Sequence, residues 1–259
     1  MTASEIRGML SRQLSGSWAY LPLRTVYRIV RKPSYLRFRR TMRNFYRQFV
    51  GPGDLVFDVG ANIGEYTEAF INLGARVVAV EPNPACCQRI RYMSRRNRLT
   101  VRCEAVGERQ GQCVLHLGNN SADSSISEEW MEKASQKLPS VKFSGAITTN
   151  INTLDQIQHE YGTPRFIKID VEGYEVKVLR GMSFRPRAIS FEFHAITPDL
   201  TKECLQLPVF DSGCTFNVTF GESWEFIWPE WCEKDAVLQY VSGLPSEDRT
   251  GDIYVRFKD

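Results

Sequence analysis

The sequence predicts an α/β protein in which helices cover both faces of a mostly parallel sheet. From residue 53 onwards, short apolar segments alternate with segments of helical periodicity, and repeated βα units of this kind form parallel sheets. The first predicted strand, 55–59, runs directly into a turn with Gly60 and Gly64, after which a helical pattern begins. A strand, a glycine turn and a helix N-terminus together bring the backbone close to a ligand.

Apolar runs bounded by turn-forming residues define the elements in order. Residues 118–147 are polar and rich in Ser and Asn, so we expect a lid or insertion there, after a hairpin strand. The last two strands have no obvious long helix between them, which favours an antiparallel pair at the sheet edge. The predicted strands are 55–59, 76–81, 99–106, 112–117, 147–152, 165–170, 188–194, 214–220 and 252–258. The predicted helices are 63–73, 84–97, 153–161, 174–181 and 198–207, with a short helical pattern at Glu128–Lys137.

Residues 1–52 are predicted to form an N-terminal extension of helical segments that break at Pro22 and Pro33. Ser34 is expected to cap the last of these helices, which runs to about Val50. The apolar residues of this last helix recur at helical spacing: Phe38, Met42, Phe45 and Phe49.

The extension is strongly basic. Residues 1–50 carry 11 Lys and Arg against one acid, whereas the rest of the chain is net negative. The simpler interpretation is a helix packed against the core with a solvated basic face. The alternative is an amphipathic segment in peripheral contact with an anionic membrane or glycan, with apolar contacts from Trp18 and Tyr20. No nucleic-acid-binding motif accompanies the charge, so we expect no nucleic-acid partner.

The cysteines indicate a reducing compartment. Seven are scattered along the chain and no C-x-x-C pair occurs, which predicts neither a zinc site nor a disulfide framework. The sequence has no run of 18 apolar residues and no secretory signal segment. We therefore expect a cytoplasmic protein, with any membrane contact limited to the extension.

Two motifs, FDVGANIGEYT at 57–67 and VEPNP at 80–84, predict the cofactor. Glu81 ends the second strand, 23 residues after Asp58, where an acid accepts hydrogen bonds from both hydroxyls of a ribose. The turn lacks the G-x-G-x-x-G spacing that a dinucleotide pyrophosphate needs, and Asp58 would repel phosphate. S-adenosylmethionine (SAM) is cationic and has no phosphate, so the turn favours SAM over NAD. The candidate cofactor-binding residues are Asp58, Gly60, Ala61, Asn62, Gly64, Tyr66, Thr67, Glu81, Pro82, Asn83, Ala105, Val106 and Asp170.

Acidic residues and one histidine end the later strands. Asp170 ends one predicted strand, and Glu192 and His194 share a face at the end of the next. Methyl transfer to a hydroxyl needs a base, and histidine is the usual choice near neutral pH. His194 is therefore the candidate catalytic base, with a purely structural histidine as the alternative. Asp170 and Glu192 are candidate catalytic residues that orient the substrate; they alternatively hold a divalent cation, but we expect no essential metal.

The motifs and their order resemble the FkbM family of SAM-dependent methyltransferases over about residues 53–194. The resemblance rests on FDVGANIGEYT, VEPNP, EAVG at 104–107, NTLDQI at 152–157 and IKIDVEGYEVKVLRG at 167–181. It implies a class I (Rossmann-like) methyltransferase domain over 53–259, with a mostly parallel seven-stranded sheet and an antiparallel edge. It also implies O-methylation, commonly of a sugar hydroxyl or of a polyketide-type natural product.

The resemblance also implies roles for particular residues. The matching positions are Asp58, Gly60, Asn62 and Gly64 in the cofactor turn, Glu81 as the ribose-binding acid, Asp170, Glu172 and Gly173 in an Asp-x-Glu-Gly segment, Glu192 and His194 at a strand end, and Ser124 and Ser125 in the lid. The Trp-rich residues 224–232 have no counterpart. We expect Trp224, Trp228 and Trp231 either to border the acceptor pocket or to pack in the core or at its edge.

The resulting hypothesis is a SAM-dependent O-methyltransferase that acts on a hydroxyl of a sugar in a glycan or glycolipid. One alternative acceptor is a small natural product. Another alternative is a non-catalytic SAM-fold module that docks on a membrane or polymer through the basic extension. An NAD-linked sugar oxidoreductase is disfavoured by the missing G-x-G-x-x-G spacing.

Overall fold

A seven-stranded sheet forms the centre of the fold. The computed structural model of the chain describes residues 34–93, 97–221, 223–245 and 250–258. The strands are β1 (Leu55–Val59), β2 (Arg76–Val80), β3 (Leu99–Arg102), β4 (Ala105–Val106), β5 (Gly111–Gly118), β6 (Phe143–Asn152), β7 (Phe166–Ile169), β8 (Ala188–His194), β9 (Cys214–Phe220) and β10 (Thr250–Phe257). The α-helices are α1 (Ser34–Tyr46), α2 (Glu65–Asn72), α3 (Pro84–Arg91), α4 (Glu128–Lys137), α5 (Leu154–Tyr161), α6 (Glu175–Arg180), α7 (Pro198–Leu205) and α8 (Lys234–Ser242).

The strand order of the main sheet is β3-β2-β1-β7-β8-β10-β9, and β10 runs antiparallel to both of its neighbours. This order confirms the predicted fold class, a mostly parallel sheet with an antiparallel edge. Strands β1 and β7 are buried along their whole length because helices cover both faces, which explains why most of their residues are apolar. The chain moves outward in opposite directions from β1 and β7, so the carboxyl ends of these central strands border a crevice.

Helix α1 packs on the main sheet and extends its core. Its residues Met42, Phe45 and Tyr46 are buried together with Phe70 of α2 and Phe166 of β7. The apolar face predicted for this helix is therefore a core-packing face. The helix ends earlier than predicted, at its third buried residue.

Other expectations about the extension concern residues 1–33, which lie outside the described residues. They are the helical segments broken at Pro22 and Pro33 and the membrane contact through Trp18 and Tyr20. The division between extension and domain at residue 52 stays a prediction. Within the part of the chain that the structure describes, no helix combines the length and apolar character needed to cross a membrane.

A second sheet of three strands, in the order β4-β6-β5, corrects two predicted strands. The predicted strand 99–106 is divided, because β3 pairs with β2 in the main sheet whereas β4 pairs with β6 in the small one. The predicted strand 147–152 is the end of the longer β6, which pairs antiparallel with β5. Strand 112–117 is confirmed as part of β5, and the helical pattern at Glu128–Lys137 is confirmed as α4.

Two expectations about helices are wrong. The predicted helix 84–97 ends at Arg91. Helix α8 connects β9 to β10, where we expected no long helix. Its buried residues are Val237 and Val241, and so short an apolar pattern does not predict a helix. Strands β9 and β10 nevertheless pair antiparallel at the edge, as predicted.

A disulfide joins Cys87 of α3 to Cys103, which follows β3. Their Cα atoms lie 6.0 Å apart. This bond corrects the expectation that all thiols are reduced. The pairing was not predictable because the two residues lie on separate elements that only tertiary packing brings together.

Candidate active site

A cavity of about 300 Å³ lies at the carboxyl ends of β1, β2, β7 and β8, the edge at which the sequence predicted the ligand. The residues that follow β5 cover it, and Ser124, Ser125 and Ile126 are part of its lining. The start of β10 closes the opposite side with Thr250 and Asp252. The cavity is therefore bordered by the main sheet below and by the predicted lid above.

The glycine turn after β1 packs directly against the turn after β7. Gly60 has a φ of +79°, and a Cβ atom at this position would lie 1.6 Å from the carbonyl oxygen of Asp170. The backbone N–H groups of Gly60 and Ala61 both donate to the carbonyl oxygen of Val80 at the end of β2. The turn after β1 thus contacts the ends of β2 and β7, and only a residue without a side chain fits at Gly60.

Glu81 lies on the side of the cavity where the sequence predicts the cofactor. Its two carboxylate oxygens accept hydrogen bonds from the backbone N–H groups of Asn62 and Asn83, each at 2.8 Å. Burial raises the pKa of Glu81 to about 7, although both backbone hydrogen bonds act to lower it. The acid therefore links the glycine turn to the start of α3, and each oxygen retains a lone pair for a ligand hydroxyl.

Asp58 lies beneath the glycine turn. Its side chain is buried, accepts a hydrogen bond from the hydroxyl of Thr67 in α2, and does not reach the cavity lining. Burial raises the pKa of Asp58 to about 6. The geometry gives Asp58 a supporting role, which joins α2 to β1, in place of direct ligand contact.

Four acidic residues line one side of the cavity and are called the acidic wall below: Asp170, Glu172, Glu192 and Asp252. Lys168 lies beneath this wall. Its Nζ is 2.9 Å from Oδ2 of Asp170, 3.5 Å from Oδ1 of Asp252 and 4.3 Å from the ring centre of Tyr66. Burial acts to raise the pKa of Asp170, but the Lys168 charge and hydrogen bonds lower it below its usual value. Asp170 is therefore held ionised and oriented toward the cavity.

Glu172 and Glu192 complete the acidic wall. Both line the cavity, and burial, followed by the charge of a neighbouring carboxyl group, raises the pKa of each well above its usual value. The backbone of Glu172 has a φ of +52°, and Gly173 follows with a φ of +86°. Glu175 braces this turn, because its Oε1 accepts from the N–H groups of Val171 and Gly173.

His194 lies behind the two glutamates. Its side chain is 7% exposed and is not part of the cavity lining. Its Nε2 lies 3.2 Å from Oε2 of Glu192 and 3.5 Å from Oε2 of Glu172. The ring centre of Trp130, from α4 of the lid, is 5.7 Å away. The structure therefore brings together the acid and histidine that the sequence singled out.

The lid contacts the same turn. A Cβ atom at Gly173 would lie 2.4 Å from Cβ of Trp130, so this glycine allows the lid helix to approach. The Ser125 hydroxyl donates to the carbonyl oxygen of Glu172 at 2.6 Å. One residue of the predicted serine pair thus connects the lid to the acidic wall.

The predicted site residues divide into cavity-lining and supporting groups. Those that line the cavity are Gly60, Asn62, Tyr66, Glu81, Pro82, Ala105, Val106, Asp170 and Glu192. Those outside the lining are Asp58, Ala61, Gly64, Thr67, Asn83 and His194. Sequence reasoning missed Asp252 as a member of the acidic wall. Its only signal is an acid at the start of the last predicted strand, and its place depends on β10 inserting beside β8.

The three tryptophans do not line this cavity. Trp224 is buried in the aromatic cluster of α1, with its ring centre 5.8 Å from that of Tyr46. Trp228 packs on Tyr240 and Trp231 on Phe226. Packing in the core or at its edge, the second of our two expectations, is therefore correct. Trp224 is buried, and Trp228 and Trp231 are partly buried against the core.

Comparisons with known proteins found one curated relative and several solved structures that are similar to this chain. The hexuronic acid methyltransferase AglP of Haloferax volcanii is 29% identical over 204 residues, which cover 76% of this chain and 80% of that protein. Among solved structures, the O-methyltransferase of Bacillus cereus in complex with SAH is 13% identical with a TM-score of 0.46, over 98% of this chain and 97% of that one. The precorrin-6y C5,15-methyltransferase of Geobacter metallireducens is 12% identical with a TM-score of 0.45, over 84% of this chain and 87% of that one.

A family model described as the methyltransferase FkbM domain matches residues 58–230. The match begins at the acid of the glycine turn and includes Glu81, the acidic wall at Asp170–Glu172 and the strand end at Glu192–His194. It therefore contains the residues on which the resemblance was based and spans more than half of the chain. The chain belongs to the FkbM family of methyltransferases.

Proposed function

We propose that the protein transfers the methyl group of SAM to a hydroxyl of a sugar, and that the acceptor carries a hexuronic acid. The observation that carries methyl transfer to a sugar hydroxyl is one cavity with Glu81, the acid that follows β2, on one side and a wall of carboxylates on the other. The similarity to a hexuronic acid methyltransferase supports the acceptor class.

The cofactor side of the cavity fits an adenosine. Glu81 is held by two backbone hydrogen bonds, so its remaining lone pairs are directed without rotation of the side chain. Pro82 and the residues of β4 provide apolar surface beside it. Asp170 provides a negative charge near the glycine turn, which suits the cationic half of SAM. SAM supplies a methyl group on a positively charged sulfur.

The acceptor side fits a polyhydroxylated ligand. Carboxylates accept hydrogen bonds from sugar hydroxyls, and Asp170, Glu172 and Glu192 all line the same wall. These residues would orient one hydroxyl oxygen toward the methyl carbon, and orientation of this kind supplies several kcal/mol of rate enhancement. In the transfer, an O–C bond forms, the C–S bond breaks with its electron pair left on sulfur, and the hydroxyl loses its proton.

The base that removes this proton stays a prediction. Direct transfer to His194 requires contact with the acceptor, whereas Glu172 and Glu192 lie between its ring and the cavity. Transfer of the proton to His194 by way of Glu192 requires a hydrogen bond between Nε2 of His194 and the Glu192 carboxylate.

Transfer of label from methyl-labelled SAM tests the proposal. The full chain is incubated with oligosaccharides that end in glucuronic or galacturonic acid, and with matched oligosaccharides that end in glucose. We expect label in the uronic acid products, as an O-methyl group by mass spectrometry. Label only in low-molecular-weight natural products, or none in a protein that binds SAM, would contradict the sugar acceptor.

Replacing Glu81 with alanine is expected to weaken SAM binding by about 1–3 kcal/mol, because ribose hydroxyls and two backbone N–H groups lose their acceptor. Isothermal titration calorimetry measures the change. Glu81→Gln keeps the size of the side chain and is expected to bind SAM with intermediate affinity. Glu132→Ala, on the outer face of the lid helix, serves as the control. Wild-type affinity in Glu81→Ala would remove Glu81 from the ribose role.

A further inference from the structure

Two residues of the acidic wall and the histidine behind them offer ligand atoms to one point. Glu172, Glu192 and His194 each contribute one atom, and these three atoms all lie within 4.8 Å of one another. Atoms bound at about 2.1 Å to a single ion are separated by about 3.0–3.4 Å in octahedral or tetrahedral geometry. The Nε2 distances of 3.2 and 3.5 Å to the two carboxylates are close to that range.

An independent observation comes from hydrogen bonding. Nε2 of His194 and Oε2 of Glu192 are both buried, and neither has a hydrogen-bond partner among the described residues. They lie 3.2 Å apart, yet their contact lacks hydrogen-bond geometry. Buried polar atoms are rarely left unpaired, because each loses its hydration without compensation. A ligand between Nε2 and the carboxylates would satisfy both atoms.

The carboxyl groups around this point also favour a bound cation. Asp170, Glu172, Glu192 and Asp252 face the same region, and Lys168 is the basic side chain that pairs with two of them. Its ammonium contacts Asp170 and Asp252, whereas the basic group beside the two glutamates is the imidazole of His194. Carboxylates buried close together repel one another unless a proton or a cation lies between them.

We propose that Glu172, Glu192 and His194 bind a divalent cation at the acceptor side of the cavity. One imidazole and two carboxylates form a donor set that suits Mn²⁺, Fe²⁺ or Zn²⁺. Both glutamates line the cavity, so the open positions of the ion face the acceptor. In this proposal His194 is a metal ligand and not the base, which differs from the expectation that no metal is essential.

The role of the ion rests on the proposed function. An acceptor hydroxyl that binds the ion has a lowered pKa and releases its proton to water. The resulting alkoxide forms the bond to the methyl carbon, and the electron pair of the C–S bond remains on sulfur. This chemistry needs no base in the position of His194.

Binding of Mn²⁺ to the full chain tests the site without SAM or acceptor. The protein is treated with EDTA, dialysed and titrated with MnCl₂, and free Mn²⁺ is followed by electron paramagnetic resonance. We expect one bound Mn²⁺ per chain, with an affinity roughly tenfold or more weaker in Glu192→Gln and in His194→Ala. Glu108→Gln and His159→Ala are matched controls outside the cluster and should bind as the wild type does.

A second measurement covers the case in which a variant does not fold. Mn²⁺ is expected to raise the melting temperature of the wild-type protein, because it binds only the folded chain. Absence of binding in the wild type, or equal binding in folded Glu192→Gln and His194→Ala, would overturn the site. If Mn²⁺ binds as expected and no sugar is methylated, the proposed function fails and the cation site stands.

Discussion

Replacing Lys168 with methionine will lower the free energy of unfolding by about 3–5 kcal/mol, the usual cost of removing one partner from a buried ion pair. The Lys168 side chain is 1% exposed, and its ammonium contacts both Asp170 and Asp252. Methionine fills a similar volume but leaves the two carboxylates without a counter-charge. Urea unfolding, followed by circular dichroism, measures the loss.

A matched control is available on the surface. Lys177 lies 3.6 Å from Glu108, and its side chain is 41% exposed. Lys177→Met removes the same charge from a solvated pair and is expected to cost about 0–1 kcal/mol. Equal losses in the two variants would mean that Lys168 is as well solvated as Lys177, which would contradict the described packing.

The loss in Lys168→Met will also depend on pH. In the wild type, the pKa of Asp170 is lowered, so its contribution to stability is present above the unfolded pKa and is lost as pH falls through the folded one. In the wild type, burial already raises the pKa of Asp252 although the Lys168 charge acts to lower it. Without Lys168, burial raises the pKa of Asp170 and raises that of Asp252 further, so the variant instead loses stability as pH rises. The difference between the two proteins is therefore expected to be larger at about pH 8 than at about pH 5.

Replacing Gly60 with alanine will cost about 4 kcal/mol or more and will abolish SAM binding in any folded fraction. The new Cβ atom would lie 1.6 Å from the carbonyl oxygen of Asp170, which is backbone and cannot rotate away. The turn would have to separate from the end of β7, and the cofactor side would lose its shape. Chemical denaturation and calorimetry with SAM measure the two effects.

Gly53→Ala separates the steric effect from the backbone effect. Gly53 has a φ of +85°, similar to that of Gly60, but a Cβ atom there would contact nothing within 4 Å. Its substitution is expected to cost only the left-handed backbone penalty, about 1–2 kcal/mol. If Gly60→Ala costs no more than Gly53→Ala, the close approach of the turn to Asp170 is wrong.

Elements with a strong local pattern were predicted with the correct boundaries. Strands 55–59, 188–194 and 214–220 and helix Glu128–Lys137 agree with the structure. Each of the strands is rich in apolar residues, and the helix has a serine cap and clear periodicity. The segment 99–106 was mispredicted because its two halves have the same local preference and differ only in the strand with which each pairs.

The candidate site likewise contains residues that the sequence identifies and residues that it does not. Gly60, Glu81, Asp170 and Glu192 could be identified from their positions at strand ends, because parallel strands bring their carboxyl ends to one edge. Asp252 could not, because it lies on an antiparallel strand whose place in the sheet is not encoded in its own sequence. The position of His194 behind the glutamates likewise depends on the path of the turn at Glu172.

The sequence by itself determined the alternation of strands and helices, the glycine turn, the acid at the end of the second strand, and the family. These features depend on residues close together in the chain, whose conformation and spacing follow from local preferences and periodicity. Only the tertiary structure decided that Lys168 pairs with Asp170 and Asp252, that Cys87 meets Cys103, and that His194 faces two glutamates. Such contacts join distant residues, and their formation depends on which strands become neighbours when the whole sheet assembles.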